Sequence, residues 1–305
     1  AWSFADGSDE RTQHAEFQLH YHETYAALMP ADGGFLLTRA ARWGDHVHPM
    51  VVWPGDLDAS FAKHGEKVVG KKEYVSVGGL PASLIAGLNL GPVGYPFYGA
   101  DTGGYRNGPP DNELFSRWFE QTALSSAMQV GTSTSDVAWE PTAANGFDAA
   151  MLARYRAYVR LHLRLFPYLW SYATALAQDG RPIMRALGLA HPELGVHPND
   201  TYLLGDHLLV APVLERGKKA RAVIFPSGKW VHWFTGEVVD GDALGGAPRT
   251  LSAPIGTLPL FLRAAGLVPM LRPTSDTLAP TTEPGRVDSY ATDPGKLYVR
   301  GVAHH

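Results

Sequence analysis

The chain has 305 residues and a formal net charge of −4, from 26 Lys and Arg against 30 Asp and Glu. Its length leaves room for about two domains at ~100 to 200 residues each, and a composition of 45% hydrophobic and 18% charged residues excludes a mainly disordered chain. There is no long basic run to hold nucleic acid or an anionic membrane and no apolar run of the ~18 to 20 residues that span a bilayer, while the absence of Cys excludes disulfides, thiol nucleophiles and thiolate metal sites.

Up to about residue 180, short apolar runs alternate with helical spacing, the pattern of βα units on a parallel sheet. Trp2 to Ala5 is a first strand candidate ending at the acidic cluster Asp6, Asp9 and Glu10. Phe17, Tyr21, Tyr25 and Leu28 then recur at helical spacing. Phe35 to Thr38 and Met50 to Trp53 are the next strands, the latter ending at Pro54-Gly55-Asp56. Leu80 to Leu88 is a helix with Pro81 near its first turn. Tyr95 to Gly99 is a strand ending at Asp101, Leu114 to Leu124 a helix, Met128 to Val130 a short strand, and Met151 to Ala177 one long amphipathic helix stopped by Gly180 and Pro182.

Beyond Pro182 the pattern changes to short β runs with turn residues between them: Tyr202 to Leu204, His207 to Pro212, Ala222 to Phe225, Lys229 to Phe234 and Leu258 to Leu262. This reads as an antiparallel β-sandwich. Trp230 and Trp233 are expected on one strand face, packed onto the barrel. Residues 274–305 are rich in Pro, Thr and Asp with one strand candidate, Lys296 to Val299, and read as a tail or the start of a further β module. The expected division is 1–181, 182–273 and 274–305.

In a βα barrel the chemistry sits where strands end, and three strand candidates place an aspartate there: Asp6, Asp56 and Asp101. Paired carboxylates can act on a glycosidic bond as nucleophile and general acid. Trp43, Trp53, Tyr98, Tyr105 and Trp139 lie nearby in sequence, and aromatic faces beside carboxylates suit sugars. Asp is also an ordinary turn residue, so each one alone reads equally as a backbone-capping group. His46 and His48, at alternate positions beside the Asp56 strand, can hydrogen-bond a sugar or, in a metal-dependent barrel hydrolase, ligate an ion. His20 and His22 lie on a helix, where a spacing of two diverges by about 200°. A non-catalytic carbohydrate-binding scaffold is the reading from a different class.

These residues resemble glycoside hydrolase family 31. The resemblance rests on Leu37-Thr38-Arg39, Trp53-Pro54-Gly55-Asp56, Gly99-Ala100-Asp101-Thr102-Gly103-Gly104-Tyr105, Arg117-Trp118, and Phe166-Pro167-Tyr168-Leu169. It continues through Gly205 to Val213, Phe225 to Trp230 and Pro259 to Arg263. It implies an α/β fold, the C-terminal portion of a (β/α)8 barrel (strands four to eight) followed by a β-sandwich. It also implies a retaining α-glycosidase with a carbohydrate substrate and no cofactor or metal. Asp6 then resembles the nucleophile and Asp56 the general acid/base, with Arg39 and Asp101 as substrate-binding residues; the aromatic and imidazole readings above add Trp53, His48 and Trp43 to that substrate-binding set. Asp9 is the alternative nucleophile, because the family usually shows Asp-x-x-Glu where this chain has Asp6-Gly7-Ser8-Asp9-Glu10. At the eighth strand many members carry Arg-x-His and this chain has Gln129-Val130-Gly131. A whole barrel needs ~250 residues, so the first three strands and an otherwise open sheet edge are expected to be completed by a missing N-terminal portion.

Overall fold

The computed structural model describes residues 4–31, 33–69, 73–131, 140, 146–242 and 246–302. In chain order these form α1 (Glu10–Ala27), β1 (Leu36–Thr38), β2 (Met50–Val52), a small hairpin β3 (Lys67–Val68) and β4 (Tyr74–Val75), α2 (Leu80–Leu90), α3 (Asn112–Thr122), α4 (Ala149–Arg164) and α5 (Phe166–Asp179). Then follow β5 (Met184–Ala186), α6 (Leu187–Ala190), β6 (Tyr202–Leu204), β7 (Leu208–Val210), β8 (Ala220–Val223), β9 (Gly228–His232), β10 (Val238–Gly241), β11 (Arg249–Ser252), β12 (Leu260–Arg263), β13 (Leu267–Met270) and β14 (Tyr298–Gly301).

The first half is a parallel sheet. β1 pairs with β2 in parallel, Leu36 opposite Met50 and Thr38 opposite Val52. The sheet continues through single parallel bridges, Val52 to Tyr98 and Asp101 to Gln129. Because all four segments run the same way, the residues that follow them arrive at one edge. Among the described residues β1 has no second neighbour, and Phe17, Leu28, Phe35 and Leu37 beside that edge are exposed. Of the expected strand at residues 2–5, residues 2 and 3 lie outside the described residues, while Phe4 and Ala5 are in no strand and Ala5 stands in a turn.

The helix expected over 151–177 is two helices. Pro167 has no N–H to continue the ladder, so it can sit only in a first turn; α4 ends at Arg164 and α5 begins at Phe166. The second half holds a six-stranded antiparallel sheet in the order β10-β9-β12-β7-β6-β5, with β8 and β11 forming a separate pair. Both faces of this sheet are buried, and the alternation of side chains assigns them. Tyr202, Leu204, Leu208, Val210, Leu260 and Leu262 pack with Phe115, Phe119, Tyr158 and Tyr168 of the helices. Leu203, Leu209, Phe261, Trp230 and Val239 form the second core with Val223 and Phe225. The two tryptophans are therefore separated, contrary to the expectation that they share a face. A spacing of three puts them on opposite sides: Trp230 lies in the second core and Trp233 in the first. β14 turns back to pair with β13.

Candidate active site

β2 ends at Val52, and the chain then turns through Trp53, Pro54 and Gly55, the last at φ +84°. Only glycine adopts this region without strain, and it brings Asp56 back over the sheet edge. Arg39, the residue after β1, reaches across: its guanidinium lies 4.4 Å from the centre of the Trp53 ring, and its Nη2 donates to Asp56 Oδ1. A buried neighbour pins the turn. Asp58 accepts from Ser76 Oγ (2.9 Å), Val77 N (2.9 Å) and Asn107 Nδ2 (2.8 Å), tying the loop to two others.

Asp101 stands on the next segment. Its Oδ2 accepts from the Trp53 indole N–H at 3.0 Å and its Oδ1 from Gln129 Nε2 at 3.2 Å. Burial pushes its carboxyl up and the negative charge of Asp56 adds to this, while the Trp53 and Gln129 donors and Arg39 oppose. A Cβ at Gly131 would overlap the Asp101 carboxylate, which is why the departure from Arg-x-His leaves Gln129 as a donor with a glycine two residues on. Arg39, Trp53, Asp56, Asp101 and Gln129 thus form one connected cluster at the C-terminal edge of the parallel sheet. Asp58 and Gln129 were not among the sequence candidates; a buried carboxylate two residues after Asp56 was the available signal for the first.

Asp6 sits in an exposed turn before α1. Its Oδ1 accepts from Ser8 Oγ (2.6 Å) and Ser8 N (2.9 Å), which together hold its carboxyl below the usual range. Among the described residues no hydrogen bond or ion pair joins Asp6 to the Asp56 cluster. Asp9 is occupied differently: it is the N-cap of α1, accepting from Thr12 N at 3.0 Å. Asp9→Asn keeps a cap acceptor and leaves the melting temperature near wild type, whereas Asp9→Ala costs about 1 kcal/mol of stability; thermal melts of the two variants check this.

His48 and Trp43, expected in the substrate-binding set, are placed apart from the Asp56 cluster. His48 precedes Pro49 and β2, so it lies at the N-terminal end of that strand, about 16 Å along an extended chain from Trp53 at ~3.3 Å per step. His46 packs with Trp43 (ring centres 5.2 Å) and Tyr95 (6.3 Å) at the same end. His46 and His48 line a cavity of about 460 Å³ there with Met50, Phe97 and Leu176. Adjacency in sequence to Asp56 concealed that a strand separates the two ends. Among the described residues no three His, Asp or Glu side chains converge as a metal centre requires, so the His46/His48 metal reading has no third ligand. Tyr98 is buried with its hydroxyl donating to Ser83 O at 2.6 Å, a core role; Trp139 lies outside the described residues.

Parallel βα segments that deliver carboxylates and an arginine–tryptophan stack to one strand edge, followed by an antiparallel β domain, define the class of barrel glycosidases. The description "Glycosyl hydrolases family 31 TIM-barrel domain" matches residues 2–172 and "Glycosyl hydrolase family 31 C-terminal domain" matches 180–268. The chain belongs to glycoside hydrolase family 31. It is 30% identical over 236 residues to alpha-glucosidase 2 of Bacillus thermoamyloliquefaciens, covering 77% of this chain and 27% of that protein. It is 29% identical over 244 residues to an alpha-xylosidase of Saccharolobus solfataricus, covering 77% and 30%. Its fold superposes on the cycloalternan-forming enzyme of Listeria monocytogenes with a TM-score of 0.74 at 25% identity, covering 88% of this chain and 24% of that one. The chain therefore spans about a quarter to a third of the length of these relatives.

Proposed function

We propose that this chain carries the catalytic edge of a retaining glycoside hydrolase that acts on an α-linked glycoside by double displacement. The observation that carries the reading is the Arg39–Trp53–Asp56–Asp101 cluster at the C-terminal edge of a parallel sheet. Asp6, held as a carboxylate by Ser8, attacks the anomeric carbon. Asp56 gives its proton to the departing oxygen, then takes one from the water that releases the sugar with net retention. Arg39 turns from Asp56 to a sugar hydroxyl as substrate enters, which frees the Asp56 carboxyl for the leaving group. Trp53 offers a ring face, and Asp101 accepts from a hydroxyl. Residues 1–181 form the barrel part, 182–273 the sandwich and 274–305 an extension.

The names of the relatives support α-glucosides and α-xylosides as first substrates. A panel of aryl α-glycosides (gluco, galacto, xylo and sulfoquinovoside), with the product anomer followed by NMR, tests the reading. The α anomer appears first if two displacements occur; initial release of the β anomer overturns it.

A further inference from the structure

Thr38 closes β1 and is buried, and its hydroxyl has two close neighbours, Ala40 O at 2.7 Å and His22 Nε2 at 2.8 Å. One hydroxyl hydrogen can serve only one of them. A carbonyl oxygen can only accept, so the hydrogen goes to Ala40 and the threonine oxygen accepts from the Nε2–H of His22. The other ring nitrogen of His22 lies 3.1 Å from Asp45 Oδ1, with both side chains enclosed. These two atoms are held at ion-pair distance, off the axis of a linear hydrogen bond. The second oxygen of Asp45 accepts from Arg42 N at 2.9 Å. Helix α1, the end of β1 and the 42–45 turn are thereby tied together by side chains inside the protein.

Burying three polar groups is costly unless their bonds return it, and simple packing between α1 and β1 needs only apolar side chains. What this chain of groups encloses is one residue. The Thr38 hydroxyl bonds to the carbonyl two positions on, and the residue between them is Arg39. Its stem lies against the Gly55 backbone, where a Cβ would meet it at 3.7 to 3.8 Å.

We propose that His22, Asp45 and Thr38 are positioning residues for Arg39: their buried chain holds the turn from Thr38 to Ala40 so that the guanidinium stays on the Trp53 ring and against Asp56. Its catalytic meaning rests on the function proposed above for Asp56, but the placement of Arg39 can be read without turnover. Arg39 draws the Asp101 carboxyl down while burial raises it. In Thr38→Val, which keeps the shape and loses the hydroxyl, Arg39 leaves its place. The Asp101 midpoint in carbon-detected carboxyl NMR then moves to higher pH, and the Trp53 indole N–H resonance shifts as the cation leaves the ring. Thr38→Ser retains both wild-type values. His162→Gln removes another buried imidazole, bonded to Ala123 O at 3.0 Å; it lowers the melting temperature and moves neither signal.

A Thr38→Val protein that melts lower but keeps the wild-type Asp101 midpoint and Trp53 resonance overturns the proposal. Should Thr38→Val fail to fold, His22→Asn takes its place, since the shorter amide does not reach the Thr38 oxygen. Movement of both signals in that variant supports the placement of Arg39, and wild-type values for both overturn it. Hydrolysis by Asp56→Asn is the separate arm: unimpaired turnover there removes the role of Asp56 and leaves the NMR result on Arg39 standing.

Discussion

Asn in place of Asp56 lowers hydrolysis of an α-glycoside with a sugar or alkyl leaving group by roughly 10²- to 10⁴-fold, the usual worth of a positioned general acid. The loss is much smaller on an activated aryl glycoside, whose leaving oxygen departs with little protonation. Folding survives the change. The Asp56 side chain is 32% exposed and that of Arg39 56%, and an ion pair so accessible contributes at most about 1 kcal/mol. Asp6→Asn abolishes turnover on both substrates, because no leaving group replaces a nucleophile. Steady-state kinetics on two glycosides of one sugar that differ only in leaving group, with thermal melts alongside, separates the roles. An equal loss on both substrates in Asp56→Asn places proton donation on another residue.

The division of labour at this edge follows from where each group's hydrogen bonds go. Asp6 has only donors around it, from Ser8 and Gln13, and none of its contacts is a carboxylate. Asp101 is burdened by burial and by Asp56, and relieved by Trp53, Gln129 and Arg39. Asp58 is fully buried, accepts three hydrogen bonds and lies 3.8 Å from Arg106 Nε, and through them it acts on the loop that carries Asp56.

The sequence made Arg39, Trp53, Asp56 and Asp101 legible because each stands at a fixed short distance beyond an apolar strand, and strand ends in a parallel sheet converge. It could not distinguish the two ends of one strand. His48 and Asp56 are eight positions apart and both flank β2, yet only one lies at the edge where Arg39 is. Asp6 against Asp9 was ambiguous for a different reason: both belong to one acidic cluster, and in the fold both accept from a nearby backbone N–H, Asp6 from Ser8 and Asp9 from Thr12. In the sandwich, β6, β7 and β12 were visible because both of their faces are apolar. β5, β10 and β11 are short, partly polar strands, and the partners of β5 and β11 lie 16 to 32 residues along the chain, so no continuous apolar run announces them. Arg117 was readable only as half of a packing pair on α3, since the backbone carbonyls it donates to lie 101 and more residues away.

Those distant partners make Arg117 the position where a substitution unfolds most. Its guanidinium is fully buried and donates to Lys218 O (2.9 Å), Ala253 O (2.7 Å) and Glu120 Oε2 (3.0 Å), while Glu120 Oε1 accepts from Gly256 N at 2.6 Å. One charge pair on a barrel helix therefore holds the loops before β8 and after β11, and so docks the sandwich on the barrel. Arg117→Met removes the cation and leaves the carboxylate, and breaking a buried pair from one side costs about 3 to 5 kcal/mol. Burial already holds the Glu120 carboxyl above its usual range, with Arg117 as the largest opposing influence; without Arg117 it rises further. A carboxyl raised in the folded state favours folding when protonated and loses that advantage as pH increases through its folded midpoint. The destabilisation of Arg117→Met is thus largest at neutral pH and shrinks in acid, and it shrinks at a higher pH than loss of a surface ion pair does, because the stranded Glu120 carboxyl takes up its proton above the usual carboxylate range. Urea denaturation of wild type and variant at pH 7 and pH 5 checks it. Adding Glu120→Leu to Arg117→Met removes the stranded charge and with it the pH dependence, and it recovers part of the stability. The remainder is the cost of leaving Gly256 N–H and the Lys218 and Ala253 carbonyls without their charged partners. A double variant no more stable than Arg117→Met, with a pH dependence unchanged, would place the cost in the lost carbonyl contacts rather than in the buried carboxylate.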